Sequence, residues 1–249
     1  MGSFDFDVIA RSLPYLFLEG MRFTLLLTCV ATAGGIFVGT FLALMRLSDF
    51  RPFSWCPDLS FWGIVTIRPA KWNPLSGFAN FYTTVFRSLP LVLVIFWCYF
   101  LLPYVRFWLT GNKTPLGAFN STVITFTLFE AAFFAEIMRA GIQSIPKGQA
   151  AAGYALGLNY WQVMGTVVLP QAFRNMIPVL LTQTIVLFQD TSLVYVISLT
   201  DFLGAATKVA QRDGRLVEMY LFAALVYFVI SFALSNLVKR LQARTAIIR

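Results

Sequence analysis

Four consecutive polar side chains interrupt an otherwise apolar stretch of this sequence: Gln189, Asp190, Thr191 and Ser192. Together they offer a carboxylate, a carboxamide and two hydroxyls, which can hydrogen-bond the ammonium and carboxylate groups of a free amino acid. Polar groups at bilayer depth are costly and usually face a cavity or a partner. The run therefore predicts either contact with a polar solute or hydrogen bonds between neighbouring helices.

A second group of charged residues lies near the ends of apolar runs. Glu136 and Arg139 are three positions apart, so on a helix they share a face and can pair. One interpretation is a structural ion pair at a helix end, and the other is part of a solute pathway. Arg87 and Arg139 are the arginines at run edges that could face a central cavity, and Arg87 is counted in the same candidate pathway.

Nothing in the sequence indicates a catalytic or metal centre. Histidine is absent, which removes the commonest proton shuttle and metal ligand. The three cysteines, Cys29, Cys56 and Cys98, have no metal-binding or CxxC spacing. An intramembrane enzyme is therefore the least favoured class, and we predict no catalytic residue and no metal ligand.

Composition places the chain in a membrane. It has 249 residues, of which 58% are hydrophobic and 12% charged, whereas a soluble domain carries roughly 25% charged residues. We predict one transmembrane domain over residues 1–249. The net charge of +8 is better explained by membrane topology than by nucleic acid binding, so no nucleic acid partner is expected.

Five apolar runs are long enough to cross the hydrocarbon core, which takes about 20 residues. The predicted fold class is an all-α integral membrane protein with spans at approximately 20–46, 84–104, 116–138, 176–199 and 219–238. Small residues recur every fourth position in the first run, which favours close helix packing: Ala31, Gly35, Gly39 and Ala43.

Two segments between the runs differ in character. Residues 51–80 are rich in proline and charge and carry aromatics suited to the membrane interface, and we predict a long loop without an assigned role. Residues 139–171 predict a turn at Ile145–Gly148, a short helix from Gln149 to Leu156, a break at Gly157 and a second segment closed by Leu169 and Pro170. With the N-terminus outside, most lysines and arginines fall on the inner side, which also places residues 139–171 in the cytoplasm.

The 139–171 segment resembles the cytoplasmic Glu-Ala-Ala loop of permease subunits in ABC importers. The positions that carry the likeness are Ala151, Ala152, Gly153, Gly157, Val167, Leu169 and Pro170, with Gly148 and Gln149 before them as in the polar amino-acid branch. Ala151 stands where the family has Glu, and Gly153 where it has its second Ala. Glu130-Ala131-Ala132 matches the letters of the motif but lacks the following Gly and lies in an apolar run.

Other stretches extend the resemblance over most of the chain. Residues 86–91 are similar to the start of a span in amino-acid permeases. Residues 189–193 resemble a Lys-Asp-Thr-Ser-Leu signature in which Gln189 replaces the Lys. With residues 212–219, these stretches most resemble the histidine/glutamate-type permeases, and within them the glutamate/aspartate importers.

The resemblance implies a type I ABC importer permease with a periplasmic N-terminus and a cytoplasmic C-terminus, in a bacterial inner membrane. It implies that this chain binds no cofactor, since ATP and Mg²⁺ belong to a dimer of partner ATPase subunits on which the loop docks. A second permease subunit, identical or homologous, a periplasmic amino-acid-binding protein and membrane lipid are the other implied partners.

A secondary transporter driven by an ion gradient is the alternative. Such transporters often consist of repeated halves. The sequence shows no repeat, and five spans do not divide into two equal halves. An ATPase subunit that co-purifies with the chain would distinguish the two classes.

Overall fold

The structure is a computed structural model that describes residues 4–48, 59–61, 65–67, 73–111 and 117–245. The described residues form ten α-helices: α1 Phe6–Tyr15, α2 Arg22–Leu47, α3 Pro74–Ser88, α4 Leu91–Thr110, α5 Ala118–Gln143, α6 Lys147–Ala155, α7 Tyr160–Gln162, α8 Leu169–Asp190, α9 Phe202–Asp213 and α10 Leu216–Thr245. Two short strands, β1 Leu59–Phe61 and β2 Val65–Ile67, pair antiparallel with Ser60 opposite Thr66.

Several helices join without a break. A π-helical turn, Leu16–Met21, links α1 to α2, and a second, Val163–Val168, links α7 to α8. A 3₁₀ segment, Thr191–Ile197, continues α8. Five helical stretches are long and apolar enough to cross a membrane: Phe6–Leu47, Leu91–Thr110, Ala118–Gln143, Tyr160–Ile197 and Leu216–Ala243. The predicted all-α membrane fold with five spans is confirmed, with one small hairpin added.

The helix ends differ from the predicted ranges in two places. The predicted span at 84–104 falls on two helices, because α3 ends at Ser88 and Pro90 caps α4. Residues 74–80, predicted as loop, are the first turns of α3, and the side chains of residues 51–72 lie outside the described residues. The Asn73 side chain begins α3 by accepting a hydrogen bond from the Ser76 N–H at 2.9 Å.

The predicted loop at 139–171 is too long at both ends. Helix α5 continues to Gln143, and a continuous helix begins again at Tyr160. The expectation that Leu169 and Pro170 close a segment is wrong, because both lie inside that helix. Pro170 stands in the first turn of α8, directly after a π turn. A proline at such a position costs the helix little stability, since its missing N–H falls where the regular hydrogen-bond pattern is already interrupted.

The small-residue stripe of α2 packs directly on α5. A Cβ at Gly39 would lie 2.9 Å from the Cβ of Phe134 and 3.0 Å from the carbonyl oxygen of Ala131. A Cβ at Gly35 would lie 2.9 Å from the Phe134 ring. These contacts are closer than side chains allow, so α2 and α5 pack tightly along the stripe, as its small residues predict.

A buried aspartate caps α9, which lies outside the five candidate spans. The Asp201 carboxylate accepts hydrogen bonds from the N–H groups of Leu203 at 2.9 Å and Gly204 at 3.0 Å. The Phe202 N–H donates to the Thr24 hydroxyl at 3.0 Å, which ties α9 to α2. Asp201 is fully buried, and this burial raises the pKa of its carboxyl from 3.8 to about 6.

Candidate functional site: a short loop helix and two polar clusters

Helix α6 is held between two tight local structures. At its end, the Gly157 N–H donates to the Tyr154 carbonyl at 2.9 Å and the Leu158 N–H to the Gly153 carbonyl at 3.2 Å. This is the Schellman arrangement, which requires a positive φ at its glycine, and Gly157 has φ +81°. Asn159 then starts the next helix through reciprocal side-chain bonds with Gln162. The predicted break at Gly157 is therefore where the loop helix ends.

One face of α6 packs on the protein and the other is free. Gly153 is buried, and a Cβ there would lie 2.9 Å from a methyl of Val163. The other loop positions on the helix that carry the resemblance are exposed: Gly148, Gln149, Ala151 and Ala152. Gly153 therefore stands where the family has Ala because Val163 fills the space of a side chain.

Two large, highly exposed apolar side chains follow α6 closely in the sequence, and sequence reasoning missed them. Leu156 is 81% exposed and Trp161 is 79% exposed. Large apolar residues in a short connection between spans were the available signal. Leu169 and Pro170, which the resemblance includes in the loop, lie further along the continuous helix, at the start of α8.

Glu136 is the centre of a charged cluster drawn from three helices. The predicted pair with Arg139 is present, and the second carboxylate oxygen accepts a hydrogen bond from Arg46 at the end of α2. Arg87 of α3 approaches the same oxygen at 3.8 Å. Arg87 also lies over the ring of Phe133, 5.7 Å from its centroid. Sequence reasoning missed Arg46, whose signal was a charge in the last turn of the first apolar run.

A cleft of about 330 Å³ opens beside this cluster, between α5 and α8. Glu136 contributes to its wall, and Met176 and Val179 supply apolar lining. At its edge the Asn175 amide donates to the Ser144 hydroxyl at 2.9 Å. Through Glu136 the cluster therefore borders a cleft at the end of α5 that leads to α6.

The predicted polar run falls where α8 changes to a 3₁₀ helix. Gln189 is exposed, Asp190 and Ser192 are half-buried, and Thr191 is buried. The Thr191 hydroxyl donates to the Phe188 carbonyl at 2.7 Å, so this hydroxyl serves the backbone at the junction. The run therefore offers a solute the carboxylate of Asp190, the amide of Gln189 and the hydroxyl of Ser192.

Glu130 joins this second polar cluster from α5. It is fully buried, and its Oε2 accepts a hydrogen bond from the Gln183 amide at 3.0 Å. Its other carboxylate oxygen has no hydrogen-bond partner among the described residues, and Glu130 interacts electrostatically with Asp190. Sequence reasoning gave Glu130 no role. A single carboxylate inside an apolar run was the signal.

Helix α5 connects the two clusters. Glu130 and Glu136 are six positions apart, which is about 9 Å along a helix axis. Within the part of the chain that the structure describes, no three His, Cys, Asp or Glu residues are grouped so that they could hold a metal ion. The arrangement therefore offers hydrogen-bond acceptors at Glu130 and Asp190, and an excess of guanidinium donors around Glu136, nearer the end of α5 that leads to α6.

Comparison with known proteins identifies the family. A model of the binding-protein-dependent transport system inner membrane component matches residues 61–247. The glutamate/aspartate import permease protein GltK of Escherichia coli O6:H1 (strain CFT073) is 48% identical, over 99% of this chain and 100% of that protein. The arginine transport system permease protein ArtQ of Bacillus subtilis (strain 168) is 33% identical, over 96% of each chain.

Solved structures agree with this assignment. A crystal structure of an amino acid ABC transporter with histidines superposes with a TM-score of 0.79 at 29% identity, over 98% of this chain and 100% of that one. The MetNI methionine ABC transporter shares the fold, with a TM-score of 0.69 at 16% identity, over 94% of this chain and 97% of that one. The ion-gradient alternative is not supported by these relatives. The chain belongs to the binding-protein-dependent inner-membrane transport family, and it is a multi-pass inner-membrane permease subunit of an ABC amino-acid importer.

Proposed function

We propose that this permease imports an acidic amino acid, glutamate or aspartate. The observation that carries the proposal is the 48% identity to GltK over essentially the whole of both chains. The cluster at Glu136 supports it, because three guanidinium groups surround one carboxylate, and guanidinium groups match carboxylates in geometry and charge. A ligand with net negative charge is favoured near such an excess of positive charge.

Selection among amino acids is assigned chiefly to a periplasmic binding protein. Gln189 stands where the family signature has a Lys, so the polar run lacks one positive charge that would attract a second carboxylate. In this proposal Asp190 accepts from the ammonium group common to all amino acids, and Gln189 and Ser192 donate to the α-carboxylate. Thr191 contributes by holding the junction at which these groups are presented.

The coupling role is assigned to the free face of α6. We propose that Gly148, Gln149, Ala151 and Ala152, together with Leu156 and Trp161, dock on an ABC ATPase subunit. A short helix with exposed small residues, followed by two exposed large apolar side chains, is suited to a groove in a partner. ATP and Mg²⁺ bind to the dimer of ATPase subunits, and this chain supplies no catalytic residue.

The proposed assembly contains two permease subunits, two ATPase subunits and a periplasmic binding protein. The second permease is either another copy or a homologue. The N-terminus is periplasmic and the C-terminus cytoplasmic, as the distribution of lysine and arginine favours.

ATP hydrolysis by the reconstituted complex tests the substrate. The complex is assembled in membranes with its binding protein and is supplied in turn with glutamate, aspartate, glutamine, arginine and histidine. Glutamate or aspartate should stimulate hydrolysis, whereas the neutral and basic amino acids should not. Equal stimulation by glutamine or arginine would contradict the assignment to an acidic substrate.

A further inference from the structure

The cluster at Glu136 holds more positive charge than its carboxylate can balance. Three guanidinium groups come from three helices, and the side chains of Arg46 and Arg139 are only 15% and 26% exposed. Like charges brought together with partial loss of water repel one another, and such groups are usually paired. Among the described residues, Glu136 is the carboxylate that contacts all three arginines. One more anion would bring the cluster closer to neutrality.

The geometry leaves donors available for that anion. Each oxygen of Glu136 is taken by one guanidinium, so Arg87 remains at 3.8 Å with its side chain 45% exposed. The Nε atoms of Arg46 and Arg139 are buried and have no hydrogen-bond partner among the described residues. Contact with the Phe133 ring holds the Arg87 guanidinium in position. The cluster is thus a partly filled carboxylate site, and its Glu136 lines the cleft between α5 and α8.

We propose that Arg46, Arg87 and Arg139 form a substrate-carboxylate site at the α6 end of the bundle, and that Glu136 is its tethered competitor. The inference rests on the proposed function, an acidic amino acid as substrate. The side chain of Glu136 carries the same carboxylate as free glutamate. When substrate arrives, its carboxylate shares or takes the arginines, and Glu136 returns to them afterwards.

The tether makes release the favoured direction. A group held next to its site competes at an effective concentration in the millimolar range, without having to diffuse to it. Substrate therefore meets an attractive site that it cannot occupy for long. An importer benefits from such a site because a firmly held product would block the next cycle, and cytoplasmic glutamate would bind back to it.

Inhibition by product on the cytoplasmic face tests the inference. The complex is reconstituted in vesicles with the binding protein and labelled glutamate inside, so that added ATP drives only those complexes whose ATPase subunits face the bath. Unlabelled glutamate in the bath then contacts the cytoplasmic face. Rates are measured relative to each variant without bath amino acid, which separates inhibition from any change in basal rate.

Removing the competitor should expose the site. Glu136→Gln should lower the bath glutamate concentration for half-inhibition by about tenfold or more, as expected when a charge-assisted hydrogen bond no longer competes. Bath glutamine should inhibit no better than before. Adding Arg87→Ala to this variant should restore the original tolerance of glutamate. Glu19→Gln, the same substitution at an exposed glutamate outside both polar clusters, is the matched control and should leave the sensitivity unchanged.

The outcomes separate the two proposals. Unchanged glutamate sensitivity in Glu136→Gln, or an equal gain for glutamine, overturns the tethered competitor and leaves a structural ion pair. If Glu136→Gln does not assemble, Arg87→Ala and Arg87→Lys in the native chain decide the question. Arg87→Ala should raise the half-inhibiting concentration more than Arg87→Lys, and equal values overturn the site. Failure of the native complex to transport either acidic amino acid refutes the proposed function itself.

Discussion

Gly157 is the position where one substitution should separate ATP hydrolysis from transport. Its φ of +81° lies in the left-handed region, and a Cβ added there would meet no atom within 4 Å. The cost of Gly157→Val is therefore a backbone cost. An L-residue in this region loses about 1–2 kcal/mol, which lowers the population of the native turn roughly 5- to 30-fold relative to its alternatives.

The effect should remain local. Helix α6 has nine residues, and an isolated helix shorter than about 12 residues is marginal in water. The direction of α6 therefore depends on the turn at Gly157 that ends it, whereas the folding of the spans does not depend on this turn. We expect Gly157→Val to insert normally and to hydrolyse ATP, but to move several-fold less amino acid per ATP than the native complex.

Transport and hydrolysis measured in the same vesicles give that ratio directly. Gly157→Asn is the first control, because Asn tolerates the left-handed region better than other side chains, and it should recover much of the coupling. Gly165→Ala is the second. It has equally open surroundings but no positive φ, and it should behave as the native chain. A native ratio of transport to ATP in Gly157→Val would refute the coupling role of the turn.

Four further outcomes are expected. Gly153→Ala should weaken coupling because its Cβ meets Val163 at 2.9 Å, and Val163→Ala should restore it if this contact is the cause; failure of the double variant to recover would point elsewhere. Asp190→Asn should lower transport of every accepted amino acid, and a change only in which one is preferred would contradict its assignment to the ammonium group. Lys147→Cys in an otherwise cysteine-free chain should react with an impermeant thiol reagent only after cells are opened, and labelling of intact cells would reverse the proposed orientation. Because the Asp201 carboxyl keeps its proton to about pH 6 when folded, against 3.8 ordinarily, thermal stability should fall as pH rises between these values, and Asp201→Asn should remove that slope while keeping the cap.

Features that depend on neighbouring residues could be predicted from the sequence. The five spans follow from runs of apolar residues, and the break at Gly157 follows from the one residue type that adopts a positive φ without strain. The Glu136–Arg139 pair follows from helical spacing alone. Each of these rests on a few consecutive positions, so no knowledge of the tertiary fold is needed.

Features that depend on tertiary contact could not be predicted. Arg46 and Glu136 are 90 positions apart, and only the packing of α2 on α5 brings them together. The Glu130–Gln183 bond likewise joins residues 53 positions apart. The helix running through Pro170 was missed for another reason. A π turn directly before Pro170 already interrupts the regular hydrogen bonds that the proline would break, and no residue pattern marks such a turn.

The separation of Arg46 from Glu136 also has a consequence for how the protein is made. At about 5–20 residues per second, the ribosome needs roughly 5–18 s to reach Glu136 after it has made Arg46, because the two are 90 positions apart. During that delay Arg46, and later Arg87, leave the ribosome with no Glu136 to pair with. In the proposed orientation, their positive charges can then act as topology signals that retain the ends of α2 and α3 at the cytosolic leaflet. Glu136 is synthesised after the orientation of these helices has been set, so replacing it should alter the finished permease without inverting any span.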